Sequence, residues 1–205
     1  MTLGEEASRS LQGAWGLLRR HPAAPTAFNA TLDGFWRSFF AAVLLLPLDL
    51  AYLAMIGPAE GAADAAPATR WSVNILVYVI GWTAWPLIAF YLTRAMDCGD
   101  RFLGYMVAFN WSQLLTGPFL IGLDVLGRSA LPQEVSVVVN LAALAGVLFY
   151  EYLIARQMLG VAVGKAVVVV LTALVLALVL RDSADFALKL AAPDEPVIIT
   201  RPPSQ

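Results

Sequence analysis

Five long apolar runs dominate the chain, and charged or aromatic residues bracket each of them. The first run spans residues 35–56 and contains FFAAVLLLPLDLAYLAMI at 39–56. The others span 71–93, 102–126, 133–155 and 160–181. A helix needs roughly 20 mostly apolar residues to cross the hydrocarbon of a bilayer, so each run predicts a transmembrane helix. Trp36 with Arg37, and Arg70 with Trp71, stand where aromatic and cationic side chains anchor a helix at the membrane interface. Asp33 and Asp100 are expected to cap the helices that follow them. Pro132 suits the first turn of the fourth.

The segments between and before these runs read differently. In LGEEASRSLQGAWGLLRR, residues 3–20, Leu3, Ala7, Leu11, Ala14, Trp15 and Leu18 recur at helical spacing, with Glu5, Glu6, Arg9, Gln12 and Arg19 opposite. This predicts an amphipathic helix that either lies flat at the interface or caps one end of the bundle. His21-Pro22 ends it, and a linker leads into the first span. GPAEGAADAAPAT, residues 57–69, lacks apolar periodicity and reads as a loop. After Arg181, DSADFALKL is able to extend the last helix along the surface, and the Pro-rich stretch beyond reads as an unstructured tail. The expected organisation is a cytoplasmic amphipathic helix and linker (1–34), a five-helix transmembrane domain (35–181) and a short C-terminal tail (182–205). The fold class is all-α, a polytopic membrane helix bundle.

Composition strengthens that reading and removes several function classes. Of the 205 residues 60% are hydrophobic and 14% charged, with mean hydropathy +0.72. Soluble domains run nearer 45–50% apolar and about 25% charged. A net charge of −2 leaves no basic footprint for nucleic acid. The single Cys98 and single His21 make neither a disulfide nor a soft-metal site. No cofactor motif, catalytic pairing or metal cluster is expected, and the chain reads as non-enzymatic. The first apolar run begins too late for a cleavable signal peptide. Nor does an internal repeat suggest an inverted-repeat transporter.

Five spans place the termini on opposite sides. Arg9, Arg19, Arg20, Arg37, Arg94, Arg101 and Arg156 fall on one side, and Arg70, Arg128, Arg181, Lys189 and Arg201 on the other. This excess of seven over five predicts a cytoplasmic N-terminus and an external C-terminus.

Polar residues inside the spans carry the candidate chemistry. A carboxylate at mid-bilayer costs about 2.5–3.5 kcal/mol on insertion scales, so Asp49 needs partners. At 1.5 Å per residue it lies roughly 18 Å from the cytoplasmic edge, and Asn110 and Gln113 of the parallel third span lie at roughly 13–18 Å. Asp49, Asn110, Ser112 and Gln113 therefore form a candidate polar cluster. Pro47, Pro86 and Pro118 each free a carbonyl one turn back, which adds acceptors at depth. Two readings stay open: a cavity that binds a proton, cation or small ligand, or a hydrogen-bond cluster that fixes helix packing. Glu151 and Lys165 lie at similar depth on the fourth and fifth spans and form a candidate ion pair. The alternatives are Arg156 as the partner of Glu151, and Lys165 snorkelling to the interface. Asp124 is expected to meet water at the outer edge. Gly160 and Gly164 make a small-xxx-small pair that would allow close helix approach.

FWRSFFAAVLLLP, WPLIAFYLTRAM and YMVAFNWSQL resemble a family of small, largely uncharacterised bacterial inner-membrane proteins, over about Phe35 to Gly160. The layout is also similar to that of Yip1-type proteins, which have a cytoplasmic amphipathic start before five spans. The resemblance implies membrane organisation rather than catalysis, although TGPF at 116–119 is only a fragment of the Yip1 Asp-Leu-x-Gly-Pro element. The expected function is a non-enzymatic membrane protein that organises or supports a membrane complex. The alternative is a small transporter or channel subunit centred on Asp49, Asn110 and Gln113. The expected partners are the lipid bilayer, other membrane proteins or further copies of the chain.

Overall fold

The computed structural model describes residues 2–57 and 65–191, and every regular element among them is helical. The helices are α1 (Leu3–Leu18), α2 (Leu32–Ser38), α3 (Phe40–Ile56), α4 (Pro67–Ala95), α5 (Phe102–Ala130), α6 (Gln133–Leu159) and α7 (Val163–Ala191). Single 3-10 turns at Ala24–Ala27 and Gly99–Arg101 join some of them. Four stretches are long and apolar enough to cross a membrane: Leu32–Ile56, Pro67–Ala95, Gln133–Leu159 and Val163–Ala191. Helix α5 matches α4 and α7 in length, at 29 residues. It carries Asn110, Ser112, Gln113 and Thr116 along its middle, and it packs against α1, α2, α3 and α6 and touches α4.

The elements depart from the sequence reading in instructive places. The first apolar run is two helices joined at Phe39, and Thr31 rather than Asp33 supplies the cap, its hydroxyl accepting from Gly34 N–H. Asp100 sits within a 3-10 turn instead of capping α5, and α5 starts without a side-chain cap. Helix α7 continues ten residues past the end of the expected span at Arg181, because DSADFALKLA contains neither Gly nor Pro to stop it. The helices run on through Pro47, Pro86 and Pro118. Most of the expected 57–69 loop and the Pro-rich tail lie outside the described residues.

The connection between α4 and α5, and that between α6 and α7, bring four helix ends together beside the start of α3. This end is tightly packed. Trp85, Ala89 and Thr93 of α4 are buried there, with the Gly104–Ala108 stretch and Trp111 of α5, Tyr150, Ile154 and Leu159 of α6, and Ala166 and Val169 of α7. Helix C-termini leave carbonyls unpaired and carry partial negative charge, so cations suit them. Lys165 Nζ donates to Met96 O at the end of α4 (2.8 Å), and Arg101 Nη1 donates to Leu159 O at the end of α6 (2.8 Å). Gly160 caps α6 at φ +62°, and a Cβ there would occupy the place of the Arg101 guanidinium. That turn is the reason for this glycine. Gly164 has open space around it, so the expected small-residue helix contact is not formed.

Helix α1 closes the same end with an unexpected face. Thr2 and Glu5 form a capping box, and the Thr2 backbone N–H holds the exposed Glu5 carboxyl below its ordinary value. The buried stripe is Glu6, Ser10, Gly13, Ala14 and Leu17, whereas Trp15 and Leu18 point outward. Glu6, placed by the sequence pattern on the solvent side, is fully buried. It receives Arg37 Nη1 (3.3 Å) and Asn29 Nδ2 (3.4 Å). Small residues let α1 approach the bundle closely, and hydrogen bonds add to the apolar burial of Ala14 and Leu17.

Candidate functional site

The packed end gives way to a cavity of about 430 Å3 lined by all five long helices. Leu45 is the last buried residue of α3, and Asp49 follows one turn further from the packed end. Asn110, Gln113 and Thr116 project from α5, and Glu151 from α6. Tyr78, Trp82 and Trp85 of α4 and Phe109 of α5 supply aromatic wall, and Gly81, Gly117 and Ala173 leave room between the helices. The lining holds no Lys, Arg or His, and among the described residues neither Asp49 nor Glu151 forms an ion pair.

The predicted cluster is divided by this geometry. Asp49, Asn110 and Gln113 face the one cavity, together with Glu151. Asn110 spends its amide N–H on Ser38 Oγ (2.8 Å), and Ser38 in turn donates to Phe35 O (2.7 Å), tying α5 to the α2–α3 junction. Gln113 accepts from Thr116 Oγ1 (3.1 Å) and lines the cavity with Glu151. Ser112 turns away: its hydroxyl meets Tyr150 OH at 3.0 Å, and Tyr150 also donates to Ala14 O (2.7 Å). In place of the expected Glu151–Lys165 pair, Lys165 caps α4, while Glu151 faces the cavity. Arg156 donates to Val161 O instead of reaching Glu151. Glu151 lies eight residues inside α6 and Lys165 two residues inside α7, so the two differ in depth by about 9 Å at 1.5 Å per residue.

Two features escaped the sequence reading. Asp124, whose side chain stays partly exposed, is also the hub of a network. It accepts from Tyr52 OH (2.7 Å), Arg128 Nε (2.5 Å) and Asn140 Nδ2 (3.2 Å), and so ties α3 to α5 and α6. The Asp124/Arg128 spacing of four was its visible signal. Beside it lies a second hollow of about 800 Å3, with Arg70, Trp71, Arg128, Arg181 and Asp185 on its walls. Val77 lines both hollows, so they adjoin. Cys98 is buried, its Sγ donating to Thr93 O (3.4 Å), and burial pushes its thiol up. Among the described residues no group of three His, Cys, Asp or Glu side chains is placed to hold a metal ion.

No family model, curated protein or solved structure matches the chain.

Proposed function

We propose that this chain is a non-enzymatic, five-span protein of the bacterial inner membrane that binds a small ligand between its helices, in the manner of a small transporter or channel subunit. Support for the fifth crossing comes from connectivity. Helices α4 and α6 both finish at the packed end. Helix α5 begins there, and only Leu131 and Pro132 separate its far end from α6. If α4 and α6 cross, α5 has to cross back between them. The arginine bias then favours a cytoplasmic packed end.

One observation carries the ligand-binding reading. Polar groups that serve only packing satisfy one another, as Asn110 does with Ser38 and Ser112 with Tyr150. Asp49 and Glu151 do not: two carboxylates without a cationic partner share a cavity large enough for a small molecule. Burying an uncompensated charge is costly, and a ligand that supplies the missing charge removes that cost.

The experiment is solute flux in proteoliposomes, with wild type and Asp49→Asn compared at equal reconstitution. Flux that disappears in the variant supports the reading, and unchanged flux overturns the role of Asp49. The complex-organising reading keeps one observation in its favour. The exposed face of α7, through Val167, Leu171, Val175 and Leu178, suits a partner helix as well as lipid. Mild-detergent purification that yields a stoichiometric membrane partner, with no flux, would favour it.

A further inference from the structure

We propose that the ligand of the central cavity is a lipophilic organic cation, a protonated amine or quaternary ammonium carried on an aromatic or aliphatic body. The inference rests on the ligand-binding reading above and narrows its chemistry. Three properties of the lining argue for this class. Its formal charges are the carboxylates of Asp49 and Glu151, supplied by different helices, and no cation of the chain lines the cavity to answer them. A cation is the ligand that stabilises both acids as carboxylates, and an anion gains nothing from either.

The wall between the acids is aromatic, with Tyr78, Trp82, Trp85 and Phe109. Ring faces attract a cation within about 6 Å of their centroids, more strongly where water is excluded. The rest of the lining is aliphatic and suits an apolar body.

An inorganic ion fits poorly. A hard cation takes six or more oxygens at about 2.0–2.6 Å. The cavity spreads its few oxygen donors around about 430 Å3, and Gln113 already spends its amide oxygen on Thr116.

Dibenzylamine, charged at neutral pH, and dibenzyl ether, its neutral isostere, separate charge from shape. Each is measured by equilibrium dialysis against the full-length protein in nanodiscs, with empty nanodiscs as the blank. The expected result is binding of the ammonium about tenfold tighter than the ether, in keeping with an added ion pair and cation–π contact. That preference should shrink in Glu151→Gln and vanish when Asp49→Asn is added. Ala173→Phe, which fills the cavity, should abolish binding of both probes.

Equal affinity for the two probes, both blocked by Ala173→Phe, overturns the cation inference and leaves the cavity as a ligand site. Binding of neither probe above the blank overturns both. A cation preference that persists in Ala173→Phe places the site elsewhere and also overturns the inference. Size-exclusion profile and circular dichroism establish that each variant is folded. Should the double variant fail that check, Glu151→Gln alone decides.

Discussion

The two ends of the bundle are built from the same helices by opposite means. Where α3, α5 and α7 begin, side chains interlock around Trp111, Tyr105 and Ile154, cations cap the ends of α4 and α6, and α1 and α2 close the base. Toward the other end the helices part around two adjoining hollows, and α3 is tied there by the polar link from Tyr52 OH to Asp124 (2.7 Å), whereas the bond from Tyr78 OH to Ala42 O (2.6 Å) holds α3 near its packed start. In a bilayer, lipid tails are as apolar as leucine, so helices associate through close packing and hydrogen bonds instead of water exclusion. A chain with limited means to hold helices together concentrates them at one end. Asp49 and Glu151 sit at the boundary between the packed half and the hollow half, which is where the proposed ligand would be held.

The largest expected effect comes from two tryptophans. Trp111 is 0% exposed at the packed end, and Trp71 is 40% exposed beside the outer hollow. Trp111→Ala should cost about 4 kcal/mol through the void it leaves, read as a fall in detergent-solubilised Tm. Trp71→Ala should stay within about 0.5 kcal/mol. Equal losses at the two positions would break the comparison.

A finer version uses one helix and one chemistry. Val169 and Val179 both lie on α7, 2% and 55% exposed. Val169→Ala should cost about 1.5 kcal/mol in lost contacts, and Val179→Ala close to nothing, because lipid or detergent refills the space. A measurable loss at Val179 in the isolated protein would mean that this face is covered by protein.

What the sequence made legible was axial position. Runs of apolar residues bounded by Arg and Trp located the helices to within a few residues, because crossing length and interface chemistry are properties of short segments. Depth counting also set Asp49, Asn110 and Gln113 at one level. Azimuth was not legible. Ser112 lies two residues from Asn110, which on a helix turns it to the other side, where Tyr150 meets it. The Glu151–Lys165 pair failed on level as well, because the turn between α6 and α7 leaves Glu151 eight residues and Lys165 two residues from the packed end. The face of α1 was misread for a related reason: an apolar stripe marks burial when water exclusion drives docking, and α1 adds small residues and hydrogen bonds to its apolar contact. The extension of α7 past Arg181 was legible too, because hydropathy falls there while helix propensity does not.

The smallest effect tests how the base is closed. Tyr150 OH donates to Ala14 O and shares a hydrogen bond with Ser112, so a single hydroxyl links α6 to α1 and α5. Tyr150→Phe keeps the ring and its packing and leaves those two partners unsatisfied, at a cost of about 1–2 kcal/mol. Gln157 Nε2 still holds Leu17 O (2.9 Å) and Arg37 still holds Glu6, so the bundle stays folded. The loss falls on the α1 contact. Because 1.4 kcal/mol is a factor of ten in an equilibrium, trypsin should cut at Arg9 and Arg19 about five to thirtyfold faster in the variant, with little change in the Tm of the remainder. If cleavage is unchanged while Tm falls, the hydroxyl serves the α5–α6 contact, and α1 rests on the base without being latched to it. If both change together by the full amount, α1 is an integral part of the packed end, and the boundary between scaffold and closure lies elsewhere.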